Sequence, residues 1–218
     1  GALGVPLYET THQAGHVRAA MLGNEARLPE NGAFLAMHIS GGTTDLLRVC
    51  LSGGKIESIE KVGGCADLHA GQLVDRIGVK TGLPFPSGPE LEKLAAQAKA
   101  RDVRLPSSVK GLNCSFSGQE TAALRLLEQG ETNEEVAYAV YDCMARTFAK
   151  MLLSAMEQTG CETALLSGGV SGSVLLRTLL QQRAKKALLF AQSGLSSDNA
   201  AGAALLAKDL YETNEGGR

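Results

Sequence analysis

Apolar residues recur along this chain with two periods, every second position in some stretches and every third or fourth in others. Ala33–Ile39 (AFLAMHI) reads as a buried strand, SGGTTD as a tight turn, and Leu46–Leu51 as a returning second strand. Lys55–Val62 offers a third strand after the Gly53-Gly54 turn. Ahead of them, Val5–Tyr8 reads as a short strand and residues 12–23 as a helix. Residues 67–80 and 88–99 are predicted helices joined by the turn LPFPSGP, and 100–115 read as irregular around Pro106, Ser107 and Ser108. The clearest element runs from Asn133 to Gln158, where Val136, Val140, Cys143, Met144, Thr147, Phe148, Met151, Leu152 and Ala155 fall at helical spacing. A strand Thr163–Leu166, the turn SGGVSG, a helix Val174–Ala184, a strand Ala187–Ala191 and a last helix after Ser197 complete the pattern, with ETNEGGR expected to fray. Strand–helix alternation in the second half predicts an α/β sheet.

Composition narrows the class. With 218 residues, the chain is long enough for one large domain or two small ones. A hydrophobic share of 44% and a charged share of 20% are those of an ordinary globular protein. The formal net charge of −2 gives no overall basic footprint for nucleic acid, although a local patch is compatible with it. The five cysteines are odd in number and never form C-x-x-C, which excludes both a disulfide framework and a cysteine zinc site and fits a reduced, cytoplasmic setting. No long apolar run suggests a membrane span. The chain enters ordered-looking sequence at once with no initiator methionine, the expected look of a piece of a longer protein.

Candidate chemistry gathers in three glycine turns and a histidine pair. Ser40, Gly41, Gly42 and Thr43 sit between two strands, where glycines bring bare backbone N–H groups close to a ligand and hydroxyls add donors. That suits a phosphate; it also suits an ordinary hairpin. Gly168 and Gly169 lead from a strand into a helix, with Ser173 at the helix start, a place where free N–H groups and a positive dipole end meet a ligand. This is neither a Rossmann fingerprint nor a Walker A loop. Pro84–Pro89, after the helix carrying Asp75, is a rigid loop or simply a connector. His12 and His16 share a helix face at i, i+4, a bidentate metal grip or a solvated pair. Asp198 is the best third ligand, and equally a helix cap. In the zinc-peptidase motif H-E-x-x-H the glutamate is the base; Gln13 stands in its place and cannot take a proton, which disfavours a metallopeptidase.

The order H-x-x-x-H, S-G-G-T-T, D-R with P-F-P-S-G-P, C-S-F-S-G, L-S-G-G-V-S and S-D-N-A-A, from about Leu7 to Ala207, resembles the Gcp-like family. These are the tRNA threonylcarbamoyladenosine transferases (TsaD), formerly called O-sialoglycoprotein endopeptidases. The resemblance implies an α/β, actin-like ATPase (ASKHA, ribonuclease H-like) fold. Residues 1–66 would be the remainder of a first lobe lacking its N-terminal part, and 67–218 a helical insertion plus second lobe. It implies a divalent metal, zinc or iron, on His12, His16 and Asp198. It implies ATP or an adenylate on Ser40, Gly41, Gly42, Thr43, Asp75, Gly88, Gly168, Gly169 and Ser173. The implied activity is threonylcarbamoyl transfer to adenine 37 of tRNA, with TsaB-like and TsaE-like partners; the alternative is a non-catalytic paralogue that binds nucleotide or metal. Four positions depart from the family's usual residues: Thr43 for histidine, Gln72 for glutamate, Glu120 for lysine and Ser173 for asparagine. They mark a divergent paralogue, with weaker ATP binding expected from the charge reversal at Glu120 and the lost amide at Ser173.

Overall fold

The computed structural model describes residues 7–65, 67–196 and 200–215. Its strands are β1 (Gly32–Ile39), β2 (Thr44–Ser52), β3 (Lys55–Cys65), β4 (Ser108–Lys110), β5 (Asn113–Ser115), β6 (Thr163–Ser167) and β7 (Ala187–Phe190). They form one sheet in the order β4-β5-β3-β2-β1-β6-β7. β1, β2 and β3 run antiparallel through short turns, while β6 joins β1, and β7 joins β6, in parallel. The parallel joins need crossovers, and helices supply them. The helices are α1 (His12–Met21), α2 (Ala70–Lys80), α3 (Gly88–Ala96), α4 (Ser117–Glu128), α5 (Asn133–Thr159), α6 (Val174–Ala184) and α7 (Ala201–Glu215).

Strand alternation divides the core in two. Leu35, Met37 and Ile39 of β1 point into a large cluster with α2–α6, including Leu73, Phe116, Phe148 and Leu152. Phe34 and Ala36 point the other way, onto Val17, Ala20 and Met21 of α1. Burying side chains of this size contributes about 1.5–3 kcal/mol each. α7 packs on α1: a Cβ on Gly202 would stand 1.9 Å from the Gly15 carbonyl, and Arg18 Nε donates to Asp209 Oδ2 at 2.6 Å.

Two buried carboxylates pin the chain before β4 to α5. Glu135 accepts from the backbone N–H groups of Lys99, Ala100 and Arg101 at 2.7–2.8 Å. Asp142 pairs with Arg104, Arg146 and Arg183. Its burial pushes the pKa up, but hydrogen bonds from Arg146 and the charge of Arg183 outweigh that and hold it below the ordinary value.

Most expected elements appear, with shifted ends. α1 stops at Met21, β3 continues to Cys65, and α2 begins at Ala70. Three expectations are corrected. Leu7 and Tyr8 are not strand, and the rest of the expected Val5–Tyr8 strand lies outside the described residues. The stretch 100–115 contains β4 and β5, whose pairing with each other and with β3 depends on partners distant in sequence. Residues 212–215 continue α7 rather than fray. α4 went unforeseen because its start is set from afar. Phe116 at its N-cap makes no side-chain cap; instead Asp67 accepts from Ser117 Oγ at 2.5 Å and from Phe116 N at 3.0 Å. These bonds, with those from Ser115 and Leu68, outweigh burial and depress the Asp67 pKa well below the usual carboxylate range.

Among the described residues no helix is long and apolar enough to cross a membrane.

Candidate functional site

Strand parity builds one end of the site. His38 continues the Phe34–Ala36 side of β1, Asp45 the Leu47–Val49 side of β2, and Ser167 the Leu165 side of β6. All three therefore face α1 where β1 and β6 end and β2 begins. α1 starts with Thr11, whose Oγ1 accepts from Ala14 N at 3.1 Å, a cap worth about 1 kcal/mol. The helical repeat then sets His12 and His16 over the strand ends. The His12 and His16 rings lie 4.4 Å apart between centroids, and His16 and His38 also 4.4 Å. His38 Nδ1 is 3.1 Å from Ser167 Oγ. Gln13 Nε2 donates to Asp45 Oδ2 at 3.3 Å, while Asp45 Oδ1 pairs with Lys61 at 2.6 Å. The residue in the peptidase-base position is thus a donor to a carboxylate.

The glycine turns build the middle. Ser40 N donates to Thr43 O at 2.8 Å, and Thr43 N to Ser40 Oγ at 3.1 Å, which closes the turn and leaves Gly41 and Gly42 at its tip with open space around them. α2 abuts this turn through Gly71, where a Cβ would lie 2.6 Å from the Gly41 Cα, so only glycine fits. Gly168 has φ of +91°, and a Cβ there would lie 2.2 Å from the Ile39 carbonyl. Its role is this close approach to β1, and Gly169 reaches the cleft instead. The Ser171 carbonyl is gripped by Arg177 Nε at 2.6 Å, which fixes the turn into α6.

Asp75, Gly88 and Ser173 form the far end. Asp75 Oδ1 accepts from Ser87 N at 2.8 Å, tying α2 to the Pro86–Gly88 loop. Tyr141 donates to the Gly88 carbonyl at 3.0 Å; burial and the Glu92 charge raise its pKa, so it remains a neutral donor. Ser173 Oγ accepts from Leu176 N at 3.1 Å as the cap of α6, and Glu92 accepts from Leu175 N at 2.7 Å.

Two cavities result. One of 790 Å³ holds His12, His16, His38, Asp45 and the Ser40–Thr43 turn; the other, of 390 Å³, holds Asp75, Gly88, Tyr141 and Ser173. Both are lined by Gly41 and Gly169, so they form one continuous cleft. No lysine or arginine is among its described lining residues. Glu120 does not line it and instead pairs with Arg76 at 3.0 Å, so the expected repulsion of phosphate by Glu120 is offset by a neighbouring cation. Gln72 Oε1 accepts from His69 N at 3.0 Å at the start of α2.

The sequence-expected residues His12, His16, Ser40, Gly41, Gly42, Thr43, Asp75, Gly88, Gly169 and Ser173 are thus brought to this cleft. Asp198 lies outside the described residues. Among the described residues, no three His, Cys, Asp or Glu side chains converge on a metal position. The paired imidazoles are donors of the kind zinc and iron take. His38 was missed, and Asp45 and Ser167 were read only as ends of their glycine turns, although the two-residue alternation of β1, β2 and β6 carried the signal.

Solved structures with the same architecture include HypF from T. kodakarensis, with a TM-score of 0.77 at 16% identity over 97% of this chain and 38% of that one. An activator of 2-hydroxyisocaproyl-CoA dehydratase from Clostridium difficile with bound ADPNP has a TM-score of 0.58 at 14% identity, covering 97% of this chain and 72% of that one. The class is therefore a mixed α/β protein of the actin-like ASKHA fold. A TsaD family model, described as tRNA N6-adenosine threonylcarbamoyltransferase, matches residues 1–205. The chain belongs to that family. The tRNA N6-adenosine threonylcarbamoyltransferase of Thermus thermophilus is 36% identical, covering 94% of this chain and 61% of that protein. That of Methanopyrus kandleri is 33% identical, covering 84% of this chain and 51% of that protein. The chain spans about half the length of these curated relatives.

Proposed function

We propose that the full-length protein is a cytoplasmic, metal-dependent transferase that moves a threonylcarbamoyl group from an adenylate to the N6 amine of an adenine in tRNA. The observation that carries this reading is the continuous cleft, in which Gly41 and Gly169 join the histidine pair to the turns at Asp75, Gly88 and Ser173.

The phosphate end of the nucleotide lies at the Ser40–Thr43 turn. Its Gly41 and Gly42 N–H groups donate to phosphate oxygens, and the N-terminal end of α2, held against the turn at Gly71, adds positive potential. This backbone binding replaces side-chain cations, which the described lining lacks. The ribose and adenine extend toward Asp75 and Gly88, where Ser87 and Tyr141 hold the wall in place. His12 and His16, with Asp198 as the proposed third ligand, would hold zinc or iron, which supplies Lewis acidity toward a carbonyl or phosphate oxygen. His38 and Ser167 orient the floor beneath them. TsaB-like and TsaE-like partners fit the same reading.

The test is incubation of the full-length protein with unmodified tRNA and threonylcarbamoyl-adenylate, followed by mass spectrometry of the nucleosides. A threonylcarbamoyl adduct on adenosine, lost in His16→Ala, supports the reading. No adduct under conditions in which a Thermus thermophilus relative forms it overturns the reading.

A further inference from the structure

Away from the histidine pair, two cysteines stand side by side. Cys65 ends β3 and Cys114 is central in β5, and the two are direct partners in the parallel pairing of those strands. Neighbouring strands lie about 4.8 Å apart, within the Cα separation that a disulfide spans, and side chains of paired residues leave the same face. Cys65 is half-buried and its Sγ donates to the Leu68 carbonyl at 2.9 Å, whereas Cys114 is buried in the main core. The other three cysteines have no such neighbour: Cys143 Sγ contacts the Pro106 carbonyl, Cys50 Sγ takes a contact from Arg48, and Cys161 is buried.

We propose that Cys65 and Cys114 form a reversible dithiol–disulfide modification site, with hydrogen peroxide as the oxidant. Cys65 is the attacking sulfur and Cys114 the resolving one. Exposure assigns the roles, and acidity agrees. The hydrogen bond from Cys114 leads the effects that lower the Cys65 pKa, against burial and the Asp67 charge, while the Cys65 hydrogen bond and burial raise that of Cys114. The Cys65 thiolate attacks one peroxide oxygen and the O–O bond breaks; the departing hydroxide takes up the former thiol proton and leaves as water. Cys65 is then a sulfenic acid. Cys114 sulfur attacks Cys65 sulfur, the S–S bond forms, and the hydroxyl leaves with the Cys114 proton as a second water. Two electrons pass from the dithiol to the peroxide.

The product would add a covalent clamp to an edge of the sheet that hydrogen bonds to Asp67 already tie to the end of β5. Among the described residues, Gly64–Asn113 and Cys65–Cys114 pair β3 with β5, and β5 leads directly into α4. β3 there lies beside the first residues of β2, since Gly64 pairs with Asp45 of the cleft.

The experiment treats the full-length protein with hydrogen peroxide, blocks remaining thiols with iodoacetamide, and maps the peptides by mass. The expected first product is the Cys65–Cys114 disulfide, with loss of two thiols, recovery by dithiothreitol, and a higher melting temperature. Cys114→Ser should stop at a Cys65 sulfenic acid that dimedone traps, and Cys65→Ser should leave Cys114 reduced. Neither variant should gain thermal stability on oxidation. Oxidation of Cys50 ahead of an intact Cys65–Cys114 dithiol, or unchanged loss of the Cys114 thiol in Cys65→Ser, overturns the proposal.

Discussion

The two faces of the sheet are built differently, and the cleft draws on both. The face covered by α2–α6 is a large apolar cluster, pinned by the buried carboxylates Glu135 and Asp142. The face covered by α1 has a small core, and α7 is held there by a glycine-close crossing and the Arg18–Asp209 pair. The glycine turns rest on the first face and the histidine pair on the second. Binding of nucleotide and binding of metal should therefore respond to different substitutions, although the sites share Gly41 and Gly169.

The largest effect is expected in the main core. Phe148 is fully buried and packs edge-on against Phe116 with ring centroids 5.7 Å apart. Phe148→Ala should cost about 3–5 kcal/mol in urea unfolding, and lower metal and ATP binding together because the whole fold weakens. Asp142→Asn comes next. It leaves three guanidinium groups against a neutral amide, at a cost of about 3 kcal/mol at neutral pH. The native Asp142 pKa is held down, so its stabilisation is complete above the ordinary carboxylate value of about 3.9 and is lost as pH falls below it through the depressed value. Acid titration of stability should show that loss in the parent chain and a flatter limb in Asp142→Asn.

Gly202→Ala should separate the faces. Its Cβ would meet the Gly15 carbonyl at 1.9 Å, so α7 must move off α1. A loss of about 1–3 kcal/mol is expected, with reduced metal stoichiometry by elemental analysis and ATP affinity by calorimetry close to that of the parent. An equal loss of both ligands would erase the distinction between the faces. The smallest effect belongs to Glu120→Lys. It breaks a pair in which the Arg76 side chain is largely exposed, worth less than about 1 kcal/mol, and ATP affinity should not rise because Glu120 does not line the cleft. A clear gain in affinity would show that the Glu120 charge reaches the phosphates.

Local rules in the sequence account for much of this. The helix of Asn133–Thr159 was legible because its apolar period is local; the structure adds the Thr132 cap and the Gly160 stop at φ of +70°. The strands β1, β2, β6 and β7 were legible from apolar runs between glycine turns. What lay hidden depended on partners distant in the chain. α4 starts where Asp67 receives Ser117, fifty residues on, and β4 and β5 are too short to declare themselves without β3. At the site, motif order brought out the histidine pair and the glycine turns. His38 stayed unseen because it sits within an apolar run, and its neighbours Ser167 and His16 join it only in the folded sheet. Glu120 shows the same limit: its charge was legible, but its pairing with Arg76 was not.

The central claim is that one cleft holds a metal at the histidine pair beside the phosphates at the Ser40–Thr43 turn. Phosphorus NMR of ATP bound to the full-length protein, loaded with one equivalent of cobalt(II), tests it most directly. The account predicts strong paramagnetic broadening of the phosphate signals, weaker broadening of the adenine proton signals, and loss of both effects in the His12→Ala, His16→Ala double variant. Broadening that is unchanged in the double variant, or bound ATP with sharp phosphate signals beside a protein-bound cobalt ion, would contradict it.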